Sequence, residues 1–148
     1  MAADYRGFMK LLVPVDGSPA SLRAVNLAIG LAKERQQGSI VLVNVQNLAM
    51  LGPGAGAMLA AWIEEEEESA AAKALKEAAS ACQAARVPFT TRSERGAPAA
   101  TIDRVAREEK AEHIIMGTRG LGGIRGLLIG SVATQVLHLV DVPVTLVK

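Results

Sequence analysis

One cysteine, four aromatic residues and almost no surplus of either charge mark this sequence, and each shortage closes off a class of protein. Cys82 by itself makes neither an internal disulfide nor a multi-thiolate zinc site, and it fits a reducing compartment. As a small apolar residue in a core it needs no further role. With 16 Lys and Arg against 15 Asp and Glu, the net charge is +1. Nothing is left over to neutralise nucleic-acid phosphates or an anionic lipid surface, so neither nucleic acid nor membrane is expected as a partner. No apolar run approaches the roughly 20 residues of a spanning helix. Met1 to Lys10 carries no long apolar stretch behind its charges, so a cytoplasmic location is expected. The scarcity of Phe, Tyr and Trp requires an aliphatic, closely packed core.

What is present is 148 residues, 50% hydrophobic and 21% charged. That is one domain spanning 1–148, with residues 1–8 expected as a loose N-terminal extension. A chain of this length buries roughly 68–70% of its unfolded surface, enough for a core without staples.

The apolar run Leu11 to Val15 ends at Asp16-Gly17-Ser18-Pro19, which reads as strand, tight turn and helix, with Ser18 as N-cap and Pro19 as first helical residue. A helical stripe from Leu22 to Ala32 follows, closed by Lys33 and a C-terminal Gly38. Ser39 to Val45 is β-branched with little alternation, as in a parallel strand buried on both faces. After a Gly- and Pro-containing loop, Asn47 to Gly56, a helix without Gly or Pro is expected from about Ala57 to Ala85. Its run Glu64 to Glu68 reads as a solvated helical face. Val87 to Ser93 reads as an edge strand because of Pro88, then Pro98 opens a helix ending near Lys110. His113 to Met116 is a fourth strand, Gly130-Ser131 opens a fourth helix, and Pro143 to Lys148 is a fifth strand. Strands alternating with helices predict an α/β doubly wound domain with a parallel sheet.

Ligands of such sheets bind beyond the carboxyl ends of the strands. Two segments there carry unusual residues: Val15-Asp16-Gly17-Ser18, and the glycine-rich stretch from Gly117 to Gly123 leading to Gly130-Ser131. The helix start offers backbone N–H groups, a hydroxyl and a positive dipole end, which are parts for holding phosphate. A P-loop is excluded because no Gly-Lys dipeptide occurs, and a dinucleotide fingerprint fails at Arg125. The spacing present is Gly117, two residues, Gly120, nine residues, Gly130-Ser131.

With that spacing, the Val13-Pro14-Val15-Asp16-Gly17-Ser18 tip, the strand Ile40 to Val45 and the ending Val142 to Val147, the sequence resembles the universal stress protein family, specifically its ATP-binding branch. The resemblance implies a Rossmann-like open five-stranded parallel sheet in the order 3-2-1-4-5, with helices on both faces. It also implies that Asp16, Pro14, Val15 and Val45 surround adenine and ribose, with Met116 and Gly117 at the tip of strand four and Gly117 under the ribose. Gly120, Gly130, Ser131 and Val132 would take the phosphates of ATP, with Thr118 and Arg119 in the same loop. A divalent metal, Mg or Mn, would sit on the phosphate oxygens and on no protein ligand. Glycine is expected at 117, 120 and 130 because a Cβ would hold the triphosphate away from the amides. A homodimer through Val142 to Val147 is implied as well, since an apolar edge strand asks to be paired.

Local roles compete with these. Asp16 also suits capping the turn, Gly17 a positive φ, and Gly122, Gly123 and Gly126 loop mobility. Arg119 and Arg125 are candidates for phosphate pairing or surface cations, and His113 and His138 read as structural or surface residues. Ser131 has no Gly-x-Ser-x-Gly elbow around it, so no catalytic residue is expected. The function implied is regulation in a stress response, by a nucleotide that orders a Gly-rich loop and alters binding of a protein partner. The alternatives are a nucleotide-free dimeric interaction module of the same fold, or a slow ATP hydrolase relying on Arg119 and Arg125.

Overall fold

The computed structural model describes residues 9–35, 37–47, 54, 56–120 and 128–148. Its elements run β1 (Met9–Pro14), α1 (Pro19–Glu34), β2 (Gly38–Gln46), α2 (Ala57–Ala84), β3 (Phe89–Arg95), α3 (Pro98–Glu108), β4 (His113–Gly117), α4 (Ser131–Leu139) and β5 (Val144–Val147). The five strands form one sheet in the order β3-β2-β1-β4-β5, every pair parallel, as expected. The expected 1–8 extension, most of the 47–56 loop, and Gly122, Gly123, Arg125 and Gly126 lie outside the described residues.

Period-2 alternation sorts the central strands into two cores. Leu11, Val13, Leu42 and Ile115 pack against α1 and the second half of α2. Leu12, Val41, Val43, Ile114 and Met116 pack against α3 and α4. The helix faces are rich in alanine, such as Ala24, Ala28 and Ala78, which lets helix and sheet approach closely without aromatic filling. Buried Cys82 belongs to the first core, and burial pushes its thiol up to about 11.

Several boundaries differ from expectation by one or two residues, β1 for example running Met9–Pro14 where Leu11 to Val15 was read, and two of the differences have a clear physical reason. β3 begins at Phe89 and runs to Arg95, two residues later than read, because the ladder with β2 starts at Ile40 opposite Phe89. Gly38 does not cap α1, which ends at Glu34. It opens β2, and a Cβ there would stand 2.6 Å from the Cα of Ala32, so close packing of strand on helix requires glycine.

The two sheet edges are chemically opposite. On β3, Arg92 bonds Glu94, Glu108 and Glu109, while Arg104 bonds Glu94 and Glu108. The guanidinium of Arg104, then that of Arg92, holds the Glu94 carboxyl below its ordinary range. The other edge, β5, presents Val-Thr-Leu-Val, half-buried throughout.

Candidate functional site

The strand order reverses between β1 and β4, and a cavity of about 430 Å³ opens at that point beyond the strand tips. All twelve residues expected from the sequence line it. Pro14, Val15 and Asp16 come from the end of β1, Val45 from β2, and Met116, Gly117, Thr118, Arg119 and Gly120 from β4 and its loop. Gly130, Ser131 and Val132 come from the start of α4.

The β1 tip is locked by its own sequence. Val15 N–H donates to the Val43 carbonyl at 2.8 Å, extending the ladder one residue beyond β1. Asp16 then turns the chain: its Oδ1 accepts from Ser18 N–H at 2.9 Å, and Gly17 has φ +82°, a left-handed conformation that favours glycine. Ser18 caps α1, its Oγ accepting from Ser21 N–H at 3.1 Å, while Ser21 Oγ donates back to the Ser18 carbonyl at 2.9 Å. Asp16 therefore does both jobs that its sequence context allowed, capping the turn and facing the cavity.

Thr118 fastens the base of the glycine-rich segment. Its N–H donates to the Val147 carbonyl at 2.8 Å, and its carbonyl accepts from Gly130 N–H at 2.6 Å. The Gly130 amide is thus committed to the protein, which corrects the expectation that it was free for phosphate. The open donors lie one residue further on. α4 has no side-chain cap, and its first turn leaves the amides of Ser131, Val132 and Ala133 without an intrahelical acceptor. Together with the helix dipole they form an anion-binding end.

The glycines also have a reason within the protein itself. A Cβ at Gly117 would meet the Ala20 Cβ at 2.9 Å and the Ser21 nitrogen at 3.2 Å, so the space is taken by α1. At Gly120 a Cβ would stand 2.4 Å from Asp16 Oδ2, and at Gly130 it would meet the Thr118 carbonyl at 3.3 Å. These three residues let β4 and its loop close against α1, Asp16 and Thr118.

Several lining residues were not singled out from the sequence as parts of the site: Ser21, Val43, Asn44, Pro98, Ile102 and Ala133, while Ser18 was read there as an N-cap. Pro98 and Ile102 bring an apolar wall from α3. Asn44 is 8% exposed, and its Nδ2 donates to the Val15 carbonyl at 2.8 Å, tying β2 to the residue before Asp16. A polar residue interrupting the run Ile40 to Val45 was the visible clue.

Asp16 and Arg119 are the ionisable groups among the described lining residues. A carboxylate suits acceptance from hydroxyl or amino groups, and a guanidinium at the rim suits phosphate oxygens. The described residues contain no cluster of three His, Cys, Asp or Glu able to hold a metal. The histidines stand elsewhere. His113 Nε2 and Thr145 Oγ1 are 2.8 Å apart between β4 and β5, and burial lowers the imidazole pKa, while His138 is exposed on α4. Neither lines the cavity.

Fold and site together define an open α/β domain with a crevice at its switch point and the first-turn amides of α4 on its lining. Residues 7–148 match the family model described as the Universal stress protein family, and the chain belongs to that family. A universal stress protein of Methanocaldococcus jannaschii is 33% identical over 144 residues, covering 95% of this chain and 82% of the relative. The universal stress protein UspA from Lactobacillus plantarum superposes with a TM-score of 0.81 at 21% identity, covering 95% of this chain and 98% of that one. A universal stress protein crystallised in complex with cAMP is 27% identical, with a TM-score of 0.67 and coverage of 95% and 97% respectively.

Proposed function

We propose that the crevice binds an adenine nucleotide, ATP with a divalent ion on its phosphates, and that occupancy regulates the protein's dealings with a partner in a stress response. The observation that carries this reading is the meeting of Asp16 at the β1 tip with the open amides of Ser131, Val132 and Ala133 across one cavity at the switch point. The base would lie between the Pro14-Val15 backbone, Val45, Met116 and the apolar wall of Ile102, with Asp16 accepting from the sugar. The phosphates would run over Gly117 and Gly120 toward the start of α4, with Arg119 at the rim. The similar protein solved with cAMP supports an adenine nucleotide as the ligand class.

The metal would be held by the nucleotide. Among the described lining residues the one carboxylate is that of Asp16, too little for an ion site made of protein ligands. Hydrolysis has less support than binding, because no histidine, glutamate or lysine lines the cavity among the described residues to serve as general base.

Calorimetric titration of the full chain with Mg-ATP, Mg-ADP, AMP and cAMP, alongside chromatography of whatever the heat-denatured protein releases, tests the reading. Binding of an adenine nucleotide is expected, strengthened by the divalent ion if the triphosphate is the ligand. No heat with any of the four and no adenine released would leave the nucleotide-free interaction module standing instead. We also propose a homodimer through Val142 to Val147, where β5 lies at a sheet edge with Val144 and Leu146 half-buried. Sedimentation is expected to give a dimer, and Leu146→Lys a monomer.

A further inference from the structure

α2 is 28 residues long, yet its buried residues, Ala71, Ala74, Ala78 and Cys82, all lie in its second half. That small-residue stripe seats the helix on the sheet. The seat reaches the β1 tip at Ala74, where a Cβ on Gly17 would lie 3.6 Å from the Ala74 Cβ, and ends one turn further on at Ala71. The helix runs opposite to the strands, so residues 57–70 pass beyond the carboxyl edge of the sheet, about 21 Å of helix at 1.5 Å per residue. No residue in that stretch is buried.

A helix in water on all sides is ordinarily polar all round. This one carries Met58 at 88%, Leu59 at 51% and Trp62 at 59% exposure, on one face by their i, i+3 and i+4 spacing, with Ile63 beside them. Trp62 is the only tryptophan of the chain. Directly after this patch come Glu64 to Glu68, and residues 57–70 contain no Lys or Arg. Apolar anchors backed by one sign of charge are the complement of a segment with apolar anchors backed by the opposite sign.

We propose that the free end of α2 is a docking helix for a basic amphipathic segment of a partner protein. Met58, Leu59 and Trp62 take its apolar face, and Glu64 to Glu68 take its lysines or arginines. Charge favours this occupant over the others. A second copy of the same tip would bring five glutamates from each chain to one small surface, and an anionic membrane would meet the same repulsion. The proposal is independent of whether the crevice binds a nucleotide, although the docking helix stands at the same end of the sheet.

The test uses the full chain and the fluorescence of Trp62, with three synthetic helices as probes: an amphipathic leucine–lysine peptide, the same pattern with glutamate for lysine, and the lysine peptide with its leucines scattered around the helix. The amphipathic basic peptide is expected to bind with a blue shift of the tryptophan emission, and to weaken as salt is raised. Met58→Ser/Leu59→Ser and the Glu64–Glu68 glutamine variant are each expected to lose about tenfold or more in affinity. Both sets of changes lie on exposed positions, and circular dichroism checks that the helix persists. Equal binding of the scattered or acidic peptide, or no loss in either variant, would overturn the proposal. So would a blue shift with lipid vesicles in place of the peptide, or self-association abolished by Trp62→Ser.

Discussion

Gly117, Gly120 and Gly130 were readable as a pattern, but the contacts within the protein that require them were not. A spacing of glycines says that backbone must come close to something; it does not say to what. Here that something is α1 at Gly117 and the Asp16 carboxylate at Gly120. The distinction is measurable. Gly117→Ala is expected to lower unfolding free energy by about 1–3 kcal/mol in urea with no nucleotide present, because Ala20 is helix and cannot yield cheaply. If the glycine existed only for ligand access, the same variant would keep its stability and lose only affinity. Asn44 illustrates the opposite case. Its role in holding Val15 depends on which strand neighbours β1, which one polar letter in an apolar run does not disclose.

Among the elements, those bounded by local chemistry were the most legible. The turn Asp16-Gly17-Ser18-Pro19 encodes its own geometry, and the start of α1 fell where that chemistry put it. Ser18→Ala is expected to cost about 1 kcal/mol by removing the acceptor of the Ser21 amide, and thermal or urea unfolding would measure it. Boundaries fixed by tertiary contact were read less well. β3 shifted by two residues because its register with β2 decides where pairing begins. Gly38 looked like a helix terminator and opens a strand, because its constraint is the backbone of Ala32. α2 was expected at nearly its observed length, yet only packing reveals that half of it has nothing beneath it.

For the whole molecule, buried aliphatic runs and alternation of element types were enough to give a parallel α/β sheet with its crevice beyond the strand ends, whereas the strand order was implied by the family resemblance alone. Whole-chain stability also carries a pH dependence that no motif announced. His113 sits partly buried against Thr145 and titrates below its ordinary 6.5. A depressed imidazole pKa means that the unfolded chain binds the proton first. Stability is then fully present above about 6.5 and declines as the pH falls through the folded value. Denaturant midpoints measured across that range are expected to fall on acidification, and His113→Asn to flatten the slope.

The unlike edges of the sheet also limit how many chains can join. An edge that carries Arg92 and Glu94 in an ionic web with Arg104, Glu108 and Glu109 offers a newcomer strand charges to desolvate, whereas β5 offers valine and leucine. The proposed pairing through β5 would use up the receptive edge of both chains and leave a β3 facing outward at each end. In such a dimer growth by strand addition would stop after one step, because the sheet edges left outside carry the charges of β3.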